Sequence, residues 1–146
     1  MKHHLIRTYT DGGSRGNPGP SGIGGAVYAV KEDGSEELLA EVSEYIGITT
    51  NNQAEYKAII ATLEKALEYG SEKIEMRMDS ELAVKLLKGE YRVKNPGLAQ
   101  LFLKIANLRT KCKSISFTHV RREFNTVADA LVNLAIDKAL QNQRGN

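Results

Sequence analysis

Tryptophan is missing from this sequence, cysteine occurs once and proline three times. A lone thiol, Cys112, excludes an internal disulfide framework. With His119 the only other soft ligand away from the N-terminal histidines, it also argues against a structural zinc site. No apolar run approaches the ~18 residues of a membrane-spanning helix, and Met1-Lys2-His3-His4 are expected to lead into a strand with no signal-peptide core. No charge of one sign dominates. Twenty Lys and Arg face 18 Asp and Glu, and a net charge of +2 is too mild to announce a nucleic-acid binder by itself. Repeats, linkers and low-complexity tracts are also lacking. The expectation is a cytoplasmic, monomeric protein without membrane association.

What is present is ordinary globular composition, 41% hydrophobic and 26% charged over 146 residues. That suits one domain over 1–146, with an ordered core at about 4–140 and a frayed tail from Gln141 to Asn146. The basic residues fall in clusters: Lys85, Lys88, Arg92 and Lys94; Arg109, Lys111 and Lys113; Arg121 and Arg122. Each cluster suits a solvated face as well as a phosphate contact.

The stretch that organises the rest runs from Ile6 to Gly19. A β-leaning segment, Leu5 to Thr10, reaches Asp11 and then meets Gly12-Gly13, where the strand is expected to stop. An Asp at the carboxyl end of a strand sits where open α/β sheets present ligands, although an Asp-Gly turn explains the same residues. Gly22–Val30 and Glu37–Ile46 read as two more strands, joined by the turn at residues 31–35 into an antiparallel meander. Tyr56, Ile59, Ile60, Leu63, Ala66 and Leu67 recur at helical spacing, so Asn51–Tyr69 is an amphipathic helix stopped by Gly70. Glu72–Met78 alternates as a fourth strand, and a short helix follows at Glu81–Lys88. Pro96 opens a helix over Gly97–Thr110, Ser114–Val120 is the fifth strand, and a last helix runs from about Asn125 to Leu140. Helices between strands three, four and five require crossovers, which places strands one, four and five parallel. If strand four lies beside strand one, Asp11 and Asp79 emerge together.

Glu55 and Asp129 then matter, because each sits near the start of a helix. Singly, each acid has a plain explanation. Asn52 to Glu55 suits a capping box, Asp79 a helix cap, and Asp129 a solvated helix. Jointly they would place several like charges within a few ångströms, an arrangement made tolerable by a hard divalent cation with oxygen ligands.

Thr10-Asp11-Gly12-Gly13-Ser14-Arg15-Gly16-Asn17-Pro18-Gly19, Thr50-Asn51-Asn52-Gln53-Ala54-Glu55-Tyr56, Asp79-Ser80, and His119 to Asn125 followed by Ala128-Asp129-Ala130-Leu131 resemble type 1 ribonuclease H. The likeness is to its reverse-transcriptase-like branch, and it covers nearly the whole chain in order. It implies an α/β ribonuclease H-like fold, with three antiparallel strands followed by parallel fourth and fifth strands in one mixed sheet flanked by helices. It implies two-metal cleavage of the RNA strand of RNA/DNA hybrids, leaving 3′-hydroxyl and 5′-phosphate ends, with two Mg²⁺ ions or Mn²⁺ in their place. Asp11 would bridge both ions, Glu55 and Asp79 would hold the one on the leaving-group side, and Asp129 the one that delivers water. His119 would assist proton transfer or product release, unless it is simply satisfied at a strand end. Gly12, Gly13, Ser14, Asn17, Asn51, Asn52 and Glu55 would meet the RNA 2′-hydroxyls, and Thr50 a DNA phosphate.

The sequence departs from that pattern in two places. No Trp- and Lys-rich insertion lies between Glu81 and Ser114, and Glu81 stands where a Gln often meets substrate, so an acid there would repel phosphate. No hybrid-binding segment is expected ahead of the core. Two other readings remain open: a binding module without turnover, and a resolvase- or transposase-like nuclease on the same sheet.

Overall fold

The computed structural model describes residues 3–144. Five strands, β1 (His3–Ser14), β2 (Gly19–Val30), β3 (Glu36–Thr49), β4 (Ser71–Met78) and β5 (Ile115–His119), form one sheet in the order β3-β2-β1-β4-β5. The β1/β2 and β2/β3 pairs are antiparallel, and β1/β4 and β4/β5 are parallel. The helices are α1 (Asn51–Leu67), α2 (Glu81–Leu87), α3 (Pro96–Arg109) and α4 (Thr126–Arg144), with a single 3-10 turn at Arg122–Phe124 before α4. No helix among the described residues is long and apolar enough to cross a membrane.

Alternation along the strands sorts side chains between the two faces. Ile6, Val27, Ile74, Met76 and Phe117 pack with Ile59 and Leu63 of α1, Ala83, Val84 and Leu87 of α2, and Leu98 and Ile105 of α3. Among the described residues, α4 covers the opposite face through Ala128, Leu131, Val132, Ala135 and Ile136. Part of that face is left to a polar network. Arg7 bonds Glu75 at 2.6 Å and Glu36 at 3.2 Å, while Arg77 reaches Glu75 at 2.9 Å.

Several boundaries differ from expectation. β1 does not stop at Thr10 but runs through Gly12 and Gly13 to Ser14, because β2 extends back to pair with it from Ser21. What does stop is the pairing with β4, at Thr10↔Met78, so Asp11 and Asp79 still emerge side by side. The cap of α1 is Thr50, whose side chain accepts the Gln53 N–H at 3.2 Å, and not Asn52. Ser80, not Asp79, caps α2 by accepting the N–H of Ala83 at 3.1 Å. Both acids are thereby released from the capping roles open to them. Finally, α4 continues to Arg144, so the tail expected to fray from Gln141 is helical up to that point; Gly145 and Asn146 lie outside the described residues.

Candidate active site

Two close backbone approaches bring the acids together. A Cβ on Gly12 would overlap the carbonyl of Ala54, so glycine lets β1 lie directly beneath the first turns of α1. The next residue of that helix is Glu55. On the other face a Cβ on Gly24 would overlap the carbonyl of Ala128, and the next residue there is Asp129. Gly24 is the register partner of Asp11. Helix α4 therefore crosses the sheet beside Asp11 because its β2 neighbour has no side chain.

Asp11, Glu55 and Asp79 line one narrow cleft with Thr10, Gly12 and Ser80. Asp129 lies on the other side of Asp11 and shares a side-chain hydrogen bond with it. The half-buried carboxyl of Asp11 is pushed up to about 8, first by burial, then by the charges of Asp79 and Asp129. That of Glu55 is pushed up to about 7, by burial and then Asp79, against hydrogen bonds from Ser80 and Asn51 that favour the charged form. Among the described residues, none of these four acids is ion-paired with Lys, Arg or His. Nor does any set of three His, Cys, Asp or Glu among them stand close enough to close around one ion as placed. Burial and the neighbouring charges of Asp79 and Asp129 together disfavour the charged form of Asp11.

The glycine-rich hairpin is tied to α1 by amides. Asn17 Oδ1 accepts the N–H of Asn51 at 3.1 Å, and Asn51 Oδ1 accepts the N–H of Ser14 at 3.3 Å. Asn51 Nδ2 in turn donates to Glu55 Oε1 at 3.2 Å. Asn51 thus links the hairpin to an acid of the cleft. Ser14 Oγ donates to the carbonyl of Gly16 within the turn, Gly13 lies near Asn51 and Val132, and Asn52 is exposed. His119 ends β5 exposed, level with Met78, one residue short of Asp79.

The basic clusters are only partly free. Arg109 lies over Phe117 and donates to the carbonyl of Leu87 at 3.1 Å, so it serves the fold. Lys85 pairs with Glu81 at 3.3 Å and sits over Tyr91, which offsets the acid expected to repel phosphate. Arg92 and Lys94 are exposed. Two contributors escaped the sequence reading. Ser80 supports Glu55 while capping α2, and Asn125 is 1% exposed with its Nδ2 3.2 Å from Asp79 Oδ2. An Asn ahead of a helix ordinarily signals a cap, which is why neither spacing nor residue type pointed to that contact.

Known proteins resemble this chain in sequence and fold. Residues 9–135 match the family model described as reverse transcriptase-like. The chain is 44% identical over 134 residues to ribonuclease HI of Halobacterium salinarum, covering 92% of this chain and 65% of that protein. It is 41% identical over 131 residues to the bifunctional protein Rv2228c of Mycobacterium tuberculosis, covering 90% of this chain but 35% of that protein. The chain thus spans only about a third of the mycobacterial relatives' length. The solved N-terminal RNase H domain of Rv2228c superposes with a TM-score of 0.84 at 40% identity, covering 90% of this chain and 98% of that one. LC11-RNase H1 in complex with an RNA/DNA hybrid gives 0.84 at 48% identity, covering 92% and 99%. By sequence and architecture together, the chain belongs to the reverse-transcriptase-like family, as a domain of the type 1 ribonuclease H fold.

Proposed function

We propose that this chain is a divalent-metal-dependent endoribonuclease that hydrolyses the RNA strand of RNA/DNA hybrids, leaving 3′-hydroxyl and 5′-phosphate ends. The observation that carries the reading is the meeting of Asp11, Glu55 and Asp79 in one cleft, with Asp129 hydrogen-bonded to Asp11 and no cationic side chain among the described residues to balance them. The solved hybrid complex of a protein 48% identical to this chain supports the choice of substrate.

An all-oxygen donor set without thiol or imidazole fits Mg²⁺, with Mn²⁺ as a substitute, and leaves coordination positions for water and phosphate oxygens. Asp11 is the acid common to both sides and would hold both ions. Glu55 and Asp79 would hold the one at the leaving group, and Asp129 the one at the attacking water. When bound, two such ions stabilise the entering and departing oxygens of an in-line displacement. The remaining work falls to the chain itself. Asn51 and Ser80 orient the carboxylate of Glu55. The backbone of the Gly12–Asn17 hairpin, held against α1 by Asn51, offers groups to the 2′-hydroxyls that distinguish RNA from DNA. Asn51 and Asn52 would add side-chain contacts to the RNA, and Thr50 would meet a DNA phosphate. His119, exposed at the end of β5, accepts or returns a proton at the leaving side.

Uniform RNA, DNA and hybrid duplexes incubated with the protein in Mg²⁺ test this directly. Cleavage of hybrid RNA alone, lost in Asp11→Asn, is expected. Binding of hybrid without turnover would make the chain a recognition module, and cutting of duplex DNA would make it a resolvase-like nuclease. An Asp11→Asn protein that cuts as fast as its parent would remove the site assignment.

A further inference from the structure

The 3-10 turn Arg122–Phe124 delivers the chain into α4 through Asn125, which is 1% exposed. Its Nδ2 donates to the carbonyl of Thr10 at 2.8 Å and to Asp79 Oδ2 at 3.2 Å. Its backbone carbonyl accepts the N–H of Asp129 at 3.2 Å, the opening bond of α4. One residue therefore touches the β1 backbone next to Asp11, the carboxylate of Asp79 and the helical turn that carries Asp129.

Both side-chain partners are acceptors, so only the NH₂ end of the amide can face them. Its Oδ1 is left buried without a partner. An Asn at this place in a helix ordinarily turns that oxygen to the free N–H groups of the first turn. Here the amide serves Asp79 and leaves the cap unmade. Packing alone would not call for this. An apolar side chain would fill the same space without an orphaned oxygen, and an Asp of the same size would set another carboxylate against Asp79 and the Thr10 carbonyl.

We propose that Asn125 is a positioning residue for the carboxylate cluster. By holding one oxygen of Asp79 from inside the protein, it keeps the other turned to the cleft shared with Asp11 and Glu55. By the same contacts it sets the separation between Asp79 and Asp129 about Asp11. The inference rests on the metal-dependent nuclease reading and adds a residue that touches neither ion nor substrate.

The test is a calorimetric titration of Mn²⁺ into the parent, Asn125→Ser and Asn125→Ala without nucleic acid. It is run beside urea denaturation in EDTA and hybrid cleavage at rising Mn²⁺. A serine hydroxyl can cap α4 but is too short to reach Asp79, so this variant keeps the helix start and removes only the hold. Folded variants whose Mn²⁺ binding is about 10–100-fold weaker, with cleavage recovering as Mn²⁺ rises, are the expected result. An asparagine with a merely structural role would lower the urea midpoint and leave Mn²⁺ affinity unchanged, and that outcome overturns the proposal. If the Ala variant is unfolded the Ser variant decides, and failure of both to fold also overturns it by assigning Asn125 to stability. A parent that neither takes up Mn²⁺ nor cuts hybrid removes the nuclease reading and this proposal with it. An active parent with an unaltered Ser variant removes this proposal alone.

Discussion

Replacing Asp11 with Asn should stabilise the protein in the absence of divalent metal, and the gain should disappear in acid. The carboxyl of Asp11 is pushed up to about 8 from its ordinary 3.8 by burial and by Asp79 and Asp129. Below about pH 4 both folded and unfolded chains carry the proton, and nothing is lost. As pH rises, the unfolded chain releases the proton first and folding becomes less favourable, until the folded carboxyl also ionises near 8. From the ordinary value to pH 7 is roughly 3 pH units at about 1.36 kcal/mol each, or ~4 kcal/mol if one site bore the whole effect. The shift arises among several interacting acids and no one site bears all of it, so we assign Asp11 about half, ~2 kcal/mol. Urea denaturation followed by far-UV circular dichroism, in EDTA at pH 4, 5.5, 7 and 8.5, measures this. The variant should match the parent at pH 4 and exceed it increasingly up to pH 8.5. Addition of Mg²⁺ should narrow or reverse the difference, because only the parent then gains binding free energy. A variant no more stable than its parent at pH 8.5, or a gain independent of pH, would refute the reasoning.

Other outcomes follow from the same geometry. Gly12→Ala forces β1 and α1 apart at the Ala54 carbonyl; a loss of about 1–3 kcal/mol in urea denaturation is expected, with hybrid cleavage falling further as Glu55 moves away from Asp11. His119→Ala changes an exposed side chain, so stability should hold within about 0.5 kcal/mol. Single-turnover cleavage should slow about a hundredfold or less, and an unchanged rate would remove His119 from proton transfer. Replacing Arg92 and Lys94 together with Ala should lower the slope of log affinity for hybrid against log salt by about one per side chain. An unaltered slope would place the phosphate contacts elsewhere. Glu55→Gln should abolish cleavage and, in EDTA, raise stability at pH 8 more than at pH 4, because burial and Asp79 push Glu55 up to about 7.

Much of this was legible from residue pattern alone. Period-two runs ending in Met78 and helical spacing from Tyr56 to Leu67 fixed the element order, and the crossovers forced β1, β4 and β5 parallel. The pairing of Asp11 and Asp79 followed from that topology. What stayed hidden depends on partners distant in the chain. Gly12 and Gly13 look like the end of a strand until β2 is there to pair with them. Thr50 and Asn52 are both acceptable caps, and only the path of β3 to Thr49 decides between them. Arg109 resembles a phosphate contact because its stacking on Phe117 is a tertiary event. Asn125 spends its amide on a residue 46 positions away, a contact without local signature.

The glycine contacts at Ala54 and Ala128 are main chain laid on main chain. Such junctions contain no rotamers to adjust and no methylene to swell or shrink with substitution. The reach from Asp11 to the two helices beside it therefore has one setting, where a joint built of side chains would have several. Sequence drift in the apolar interior can retune melting temperature over a wide range while the spacing of the acids stays as it was, so thermal adaptation and chemistry are free to evolve apart.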